Sequence, residues 1–318
     1  MKLLRLAPEN TKFGFMRFRR VSYPFSAVLS ILSVVLFLTV GMNFGIDFSG
    51  GTLIEVRANS GTANIAQLRQ AAEKLEVGAV EVQSFGTPAD VVLRFGLQPG
   101  GDAAQEAAVN KIKAAIGSDY AVRRTEVVGP RVSGELVQSG TLGIVLSIVA
   151  VLCYLSFRFE WQFAVGAIIA TMHDLLLTVG FFSITHLEFN TTSIAAILTI
   201  VGYSLNETVV VLDRIREMMR KYRKVSTSDL IDMSVNAVLP RTIMTATTVF
   251  LALLSLVLFG GEVIRSFSLA MIWGIFVATY SSIFICSPML IYLGVRADVF
   301  DRASESEAAA AAPAKARA

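Results

Sequence analysis

The chain has few of the residues on which most site chemistry rests. It holds two cysteines, Cys153 and Cys286, and two histidines, His173 and His186. Both cysteines fall inside apolar runs, so they read as packing residues and make no disulfide framework. Two histidines are too few for a typical zinc set, and no metal site is expected. No Walker-type glycine loop is present, so ATP is not the energy source within this chain. The serines and threonines show no Ser-His-Asp arrangement in an accessible pocket. Charge is scarce too: Asp, Glu, Lys and Arg make up 17% of residues, against roughly 25% in soluble proteins. These gaps weigh against a nucleotide-driven enzyme, a peptidase and a nucleic-acid partner, and no cofactor is expected.

What the chain has in quantity is apolar sequence, 54% of its 318 residues. It is gathered into six blocks, 23–44, 136–157, 162–185, 190–212, 241–260 and 266–293. Each matches the roughly 20 apolar residues that cross a bilayer as a helix. Lys2, Arg5, Lys12, Arg17, Arg19 and Arg20 make residues 1–22 a basic N-terminus. Arg214, Arg216, Arg220, Lys221, Arg223 and Lys224 follow the fourth block, and Arg296 and Arg302 follow the sixth. Basic residues favour the cytoplasmic side, which places both termini and a 213–240 loop there and residues 45–135 outside. The first block is too long for a signal-peptide core and is followed by no A-x-A-like site, so it reads as a retained span. The tail 297–318, Ala-rich and without apolar periodicity, reads as disordered.

Between the first two spans the pattern changes. Thr52–Ala58 alternates as a strand, and Ile65, Leu68, Ala72 and Leu75 repeat at helical spacing. Ala79–Phe85 and Asp90–Phe95 read as strands about a Gly86-Thr87-Pro88 turn, Ala103–Ile116 as a helix and Tyr120–Val128 as a strand. The β-α-β-β-α-β order is that of a ferredoxin-like α+β domain. Its charges are scattered over polar faces and suggest no catalysis. The expected architecture is an α-helical membrane protein with six transmembrane helices and one periplasmic ferredoxin-like domain between helices 1 and 2.

The third and fourth spans carry ionisable residues within apolar sequence: His173, Asp174 and Glu207. A charge there costs about 2.5–3.5 kcal/mol on insertion scales, which makes a proton, ion or substrate pathway the default inference. Thr171, Asp174 and Thr178 share one helix face, as do Thr199, Tyr203, Asn206 and Val210, with Glu207 beside Asn206. Arg241, Thr245 and Thr248 form a stripe on the fifth span, with Arg241 placed in its first turn after Pro240. Facing stripes would set two carboxylates, a histidine and an arginine in one interior, where burial raises a carboxylate pKa and an arginine lowers it. Asp213 and Arg241 sit near the interface, where a charge can also do no more than anchor a helix end.

Several segments, in order, resemble the SecF family, the smaller membrane subunits of the bacterial SecD–SecF complex. They are Gly45 to Gly51 with Asp47, Gly50 and Gly51; Phe157 to Trp161 with Arg158 and Glu160; His173-Asp174; Gly202 to Asn206 leading into Glu207 to Glu217; Arg241-Thr242; and Phe259-Gly260-Gly261. The likeness runs from about residue 15 to 296. It implies half of an RND-type transporter, completed by a SecD-like subunit. It also implies an accessory subunit of the Sec preprotein translocase in the bacterial inner membrane, using the proton-motive force to finish export of a preprotein delivered through SecYEG. Protons would be the coupling ion, membrane lipids a further partner, and no covalent catalysis is expected. The family's proton-linked positions map to Glu207 and Arg241. Where the family usually has Asn-Asp, this chain has Asn206-Glu207, one methylene longer. Two other readings stay open: one half of an RND-type small-molecule or lipid exporter, and a non-conducting translocase scaffold.

Overall fold

The structure is a computed structural model that describes residues 11–75 and 77–295. Lys2, Arg5, Arg296, Arg302 and the tail 297–318 lie outside the described residues. After a 3₁₀ turn at Phe15–Phe18, helix α1 (Arg19–Thr39) leads through the short α2 (Ile46–Ser49) into a small domain. Its elements are β1 (Gly51–Ala58), α3 (Ile65–Glu73), β2 (Val80–Phe85), β3 (Thr87–Phe95), α4 (Gly101–Ile116) and β4 (Tyr120–Val128). There follow α5 (Pro130–Arg158), α6 (Trp161–Thr185), α7 (Thr191–Lys221), α8 (Thr227–Phe259) and α9 (Glu262–Ser281), which continues through a π turn at Ser282–Cys286 into α10 (Ser287–Tyr292).

The domain sheet runs in the order β2-β3-β1-β4, antiparallel throughout. This is the expected split β-α-β arrangement. Strand alternation turns Ile54, Val56, Val91 and Leu93 inward, where Leu68, Ala72, Val109 and Ile112 of the two helices cover them. Strand β3 begins at Thr87, before the expected Asp90. Pro88 is tolerated there because the ladder to β1 starts only at Arg57↔Asp90, so its missing N–H breaks no bond.

Among the described residues, six helices have the length and apolarity to cross a membrane, each through an apolar window of 18 residues. Three are central: 56% of the α6 window, 44% of the α7 window and 61% of the last are buried by protein, against 17%, 6% and 11% for α1, α5 and α8. The outer helices present Val28, Ile31, Leu146, Val149 and Leu258 outward, as lipid-facing surfaces do.

The expected 213–240 loop is a correction. Helix α7 continues to Lys221 and α8 starts at Thr227, capped by Ser226, which accepts from the Asp229 N–H at 3.2 Å. Charged residues in 214–221 are good helix formers, and Ile215, Met218 and Met219 bury against Leu230, Ile231 and Val235. An apolar window marks where a helix meets lipid, not where it ends. Pro240 and Arg241 accordingly lie inside α8, not in its first turn.

Candidate proton-coupling site

Asp174 sits where α6, α7 and α9 meet and is 1% exposed. Its Oδ2 accepts hydrogen bonds from Ser204 Oγ of α7 at 2.6 Å and Ser281 Oγ of α9 at 2.8 Å. Its Oδ1 lies 3.1 Å from His173 Nδ1. The buried His173 ring is 6.2 Å from that of Tyr280, and its Nε2 meets no protein partner among the described residues. One carboxylate thus ties three central helices together. The neighbouring threonines serve their own helix: Thr171 Oγ1 donates to the Ala167 carbonyl and Thr178 Oγ1 to that of Asp174. The expected face is present, but the cross-helix donors are serines.

Glu207 is also buried and accepts from Thr242 Oγ1 of α8. The structure does not bring Arg241 to it. Thr242 turns inward, and Arg241, about 100° around the same helix, is exposed and pairs with no carboxylate among the described residues. Asn206 and Gly202 lie on the exposed side of α7 with Thr199. The sequence stripes therefore divide into a buried group, Asp174, His173 and Glu207, and an outward-facing group, Asn206 and Arg241.

Asp213 belongs to a separate ionic ring at the far end of α7. Arg158 donates to both of its oxygens, at 2.9 and 2.8 Å, and Arg216 Nη1 lies 3.9 Å from it. Arg216 also donates to Glu160 at 2.8 Å. Both guanidinium groups lie over the Phe159 ring, 4.9 and 5.5 Å from its centre. Asp213, Arg158 and Glu160 thus fasten the α5–α6 turn to α7, and none of them touches Asp174 or Glu207.

On the opposite side, Asp47 caps α7 from outside, accepting from the N–H and hydroxyl of Thr191 at 2.9 and 2.8 Å. Gly50 and Gly51 carry the chain into β1. Gly51 has φ of 120°, and a Cβ there would stand 2.5 Å from the Phe95 carbonyl oxygen, so only glycine fits. Among the described residues no three His, Cys, Asp or Glu side chains gather as a metal-binding group.

Sequence reasoning gave no role to Ser204, Ser281 and Thr242. The available signal was the polar run Thr279 to Ser282 inside an otherwise apolar span.

The family described as "Protein export membrane protein SecD/SecF, C-terminal" matches residues 108–296, and its "SecD/SecF GG Motif" matches residues 35–61. The chain belongs to this SecD/SecF family. It is 45% identical over 294 residues to the protein translocase subunit SecF of Rickettsia bellii, covering 90% of this chain and 95% of that protein. It is 41% identical to the SecDF of Brucella abortus, covering 92% of this chain and 39% of that one. The crystal structure of SecDF from Thermus thermophilus matches with a TM-score of 0.81 at 32% identity, covering 91% of this chain and 40% of that one. SecDF in a super-membrane-facing form matches with a TM-score of 0.66. The chain spans about two fifths of the SecDF chains it matches. Family membership and the six helices make it a multi-pass protein of the bacterial inner membrane, with an accessory role in Sec protein export. It is a transporter component in type.

Proposed function

We propose that the chain uses the proton-motive force to assist late steps of preprotein export, working with a SecD-like subunit that supplies the other six-span half. The observation that carries this reading is the Asp174 carboxylate, buried in the membrane region and held by hydroxyls from two other helices. Protonation removes the charge that both donors serve. That weakens the link among α6, α7 and α9, because hydrogen bonds to a charged group are about twice as strong as neutral ones. Glu207, one turn beyond Ser204 on α7, is the second group to take up a proton, and Thr242 relays its state to α8. A proton crossing 100 mV contributes about 2.3 kcal/mol, enough to bias a helix repacking of this size. Arg241 and Asn206, outward on α8 and α7, face the partner half. Both termini are cytoplasmic, the SecYEG channel and the translocating preprotein meet the external domain, lipids surround the outer helices, and the chain does no covalent chemistry.

The test is proton-gradient-driven preprotein translocation into vesicles holding the chain with its SecD-like partner. Asp174→Asn and Glu207→Gln should each lower the gradient-dependent part of export about tenfold or more and leave the gradient-independent part. Full gradient-dependent export in both variants would reject proton coupling and leave a passive scaffold. Transport driven without a preprotein would favour an exporter of small molecules.

A further inference from the structure

By chain connectivity the external domain joins the membrane bundle at two places, through α1 and α2 and from β4 into α5. The structure adds a third attachment on the loop 186–190 between α6 and α7. The Gly45 N–H donates to the Phe189 carbonyl at 2.9 Å, and the Phe189 N–H donates to that of Asn43 at 2.7 Å. The Phe189 ring packs 5.9 Å from Phe44, 5.6 Å from Phe48 and 5.2 Å from Phe182.

One contact of this loop reaches into the sheet itself. Arg94 of β3 donates to the Glu188 carboxylate, with the two side chains only 16% and 22% exposed. The backbone at Gly45 makes room, since a Cβ there would lie 2.6 Å from Glu188 Oε1. At its other end Glu188 is fixed to α7, whose Ser193 hydroxyl donates to the Glu188 carbonyl at 3.2 Å. Glu188 is therefore held by its backbone to the helix that carries Ser204 and Glu207, and by its side chain to the central sheet of the external domain.

We propose that Glu188 is a positioning residue that transmits movement of α7 to the external domain through its ion pair with Arg94. This rests on the proton-coupled reading of α6 and α7. A small cavity of about 200 Å³ lies beside Glu188, and Asp47 of α2, Glu55 of β1, Arg124 and Glu126 of β4 and Ser266 of α9 line it with Glu188. Arg124 pairs with Glu126, so Arg94 is the cation that answers Glu188. Burial pushes the Glu188 carboxyl above its usual range, Arg94 pulls it back and Asp47 adds to the rise. A charge that burial disfavours and one arginine sustains makes a rigid link only while that arginine stays in place.

The experiment uses the full chain with its SecD-like partner in vesicles, reading gradient-driven export and amide exchange of residues 87–95 with and without the gradient. Glu188→Gln and Arg94→Gln should each lower export about two- to thirty-fold, the span seen when a residue on a coupling route is changed. The double variant should be no worse than the poorer single, and Arg94→Lys should keep most of the activity. Gradient-dependent exchange in β3 should vanish in Glu188→Gln while the chain still accumulates in the membrane. Export equal to the parent in both singles, or losses that multiply in the double variant, would overturn the linkage. A Glu207→Gln chain that loses export while Glu188→Gln keeps it overturns the linkage alone. The reverse, with Asp174→Asn and Glu207→Gln both fully active and the Glu188 and Arg94 effects non-additive, overturns proton coupling and leaves the ion pair as a positioning device.

Discussion

Ser281 donates a hydrogen bond to Asp174 across the bundle at 2.8 Å, joining the sixth span to the third. It lies one residue before the π turn at Ser282–Cys286. Such turns break the regular i→i−4 ladder and recur at functional positions. Ser287 closes this one by donating to the Ser282 carbonyl at 2.8 Å. The last span is thus locally rewound beside the carboxylate that it helps to hold.

Ser281→Ala should lower the thermal midpoint of the purified complex. Removing one donor from a buried carboxylate costs about 1.5–3 kcal/mol. Ser281→Thr, which keeps the hydroxyl, should recover most of it. If Ser281→Ala melted like the parent, the bond would have no mechanical weight, and of the two hydroxyls on Asp174 only that of Ser204 could carry the junction.

The ionic ring at the α5–α6 turn gives a prediction about rank order. Arg216 and Glu160 are 18% and 19% exposed, whereas Arg158 and Asp213 are 39% and 40% exposed. Arg216→Gln strands a largely buried Glu160 and should destabilise by about 1–3 kcal/mol, below the figure for a fully buried pair. Arg158→Gln breaks a wetter pair and should stay within about 1 kcal/mol. Denaturation of the two variants in one detergent compares them directly, and an inverted order would mean that the ring is not what holds the α5–α6 turn to α7.

Much of this is legible in the amino-acid sequence alone. The external domain could be read because strands and helices at a sheet surface alternate between water and core, as in Thr52–Ala58 of β1, and β4 falls at the expected Tyr120–Val128. The spans were legible as apolar runs. Helix rotation was not. A helix such as α6 is apolar on nearly every face, so periodicity cannot say which side meets lipid and which meets protein. That is why Arg241 was expected beside Glu207 and stands outside, with Thr242 in its place. Nor could the pattern show that a serine on one span and a serine on another converge on one oxygen of Asp174, since nothing local links positions 204 and 281. Helix ends were missed where amphipathic sequence beyond the membrane keeps the helix going, as in Arg214 to Lys221.

The external domain and the loop that meets it carry their own pH dependence, and two carboxylates, Asp90 of β3 and Glu188 of the α6–α7 loop, have opposite signs. Asp90 is held at about 2, first by its hydrogen bond from Arg57 and then by one from Thr87, against a desolvation that raises it. A depressed folded pKa means that the unfolded chain binds the proton more readily, so this stabilisation is whole above pH 3.8 and fades as pH falls toward 2. Glu188 is raised, chiefly by burial, so its charged form weighs against the folded state as pH climbs above 4.5. Asp90→Asn should therefore make the domain less stable near neutrality and flatten its acid sensitivity. Pepsin digestion of the parent and the variant at pH 4.5 and pH 2.5 measures this. The parent should lose far more of its resistance than the variant between the two conditions, because only the parent has a carboxylate at 90 left to protonate. Equal losses would mean that the Arg57–Asp90 pair does not couple to folding of the sheet, and that acid acts on the domain elsewhere.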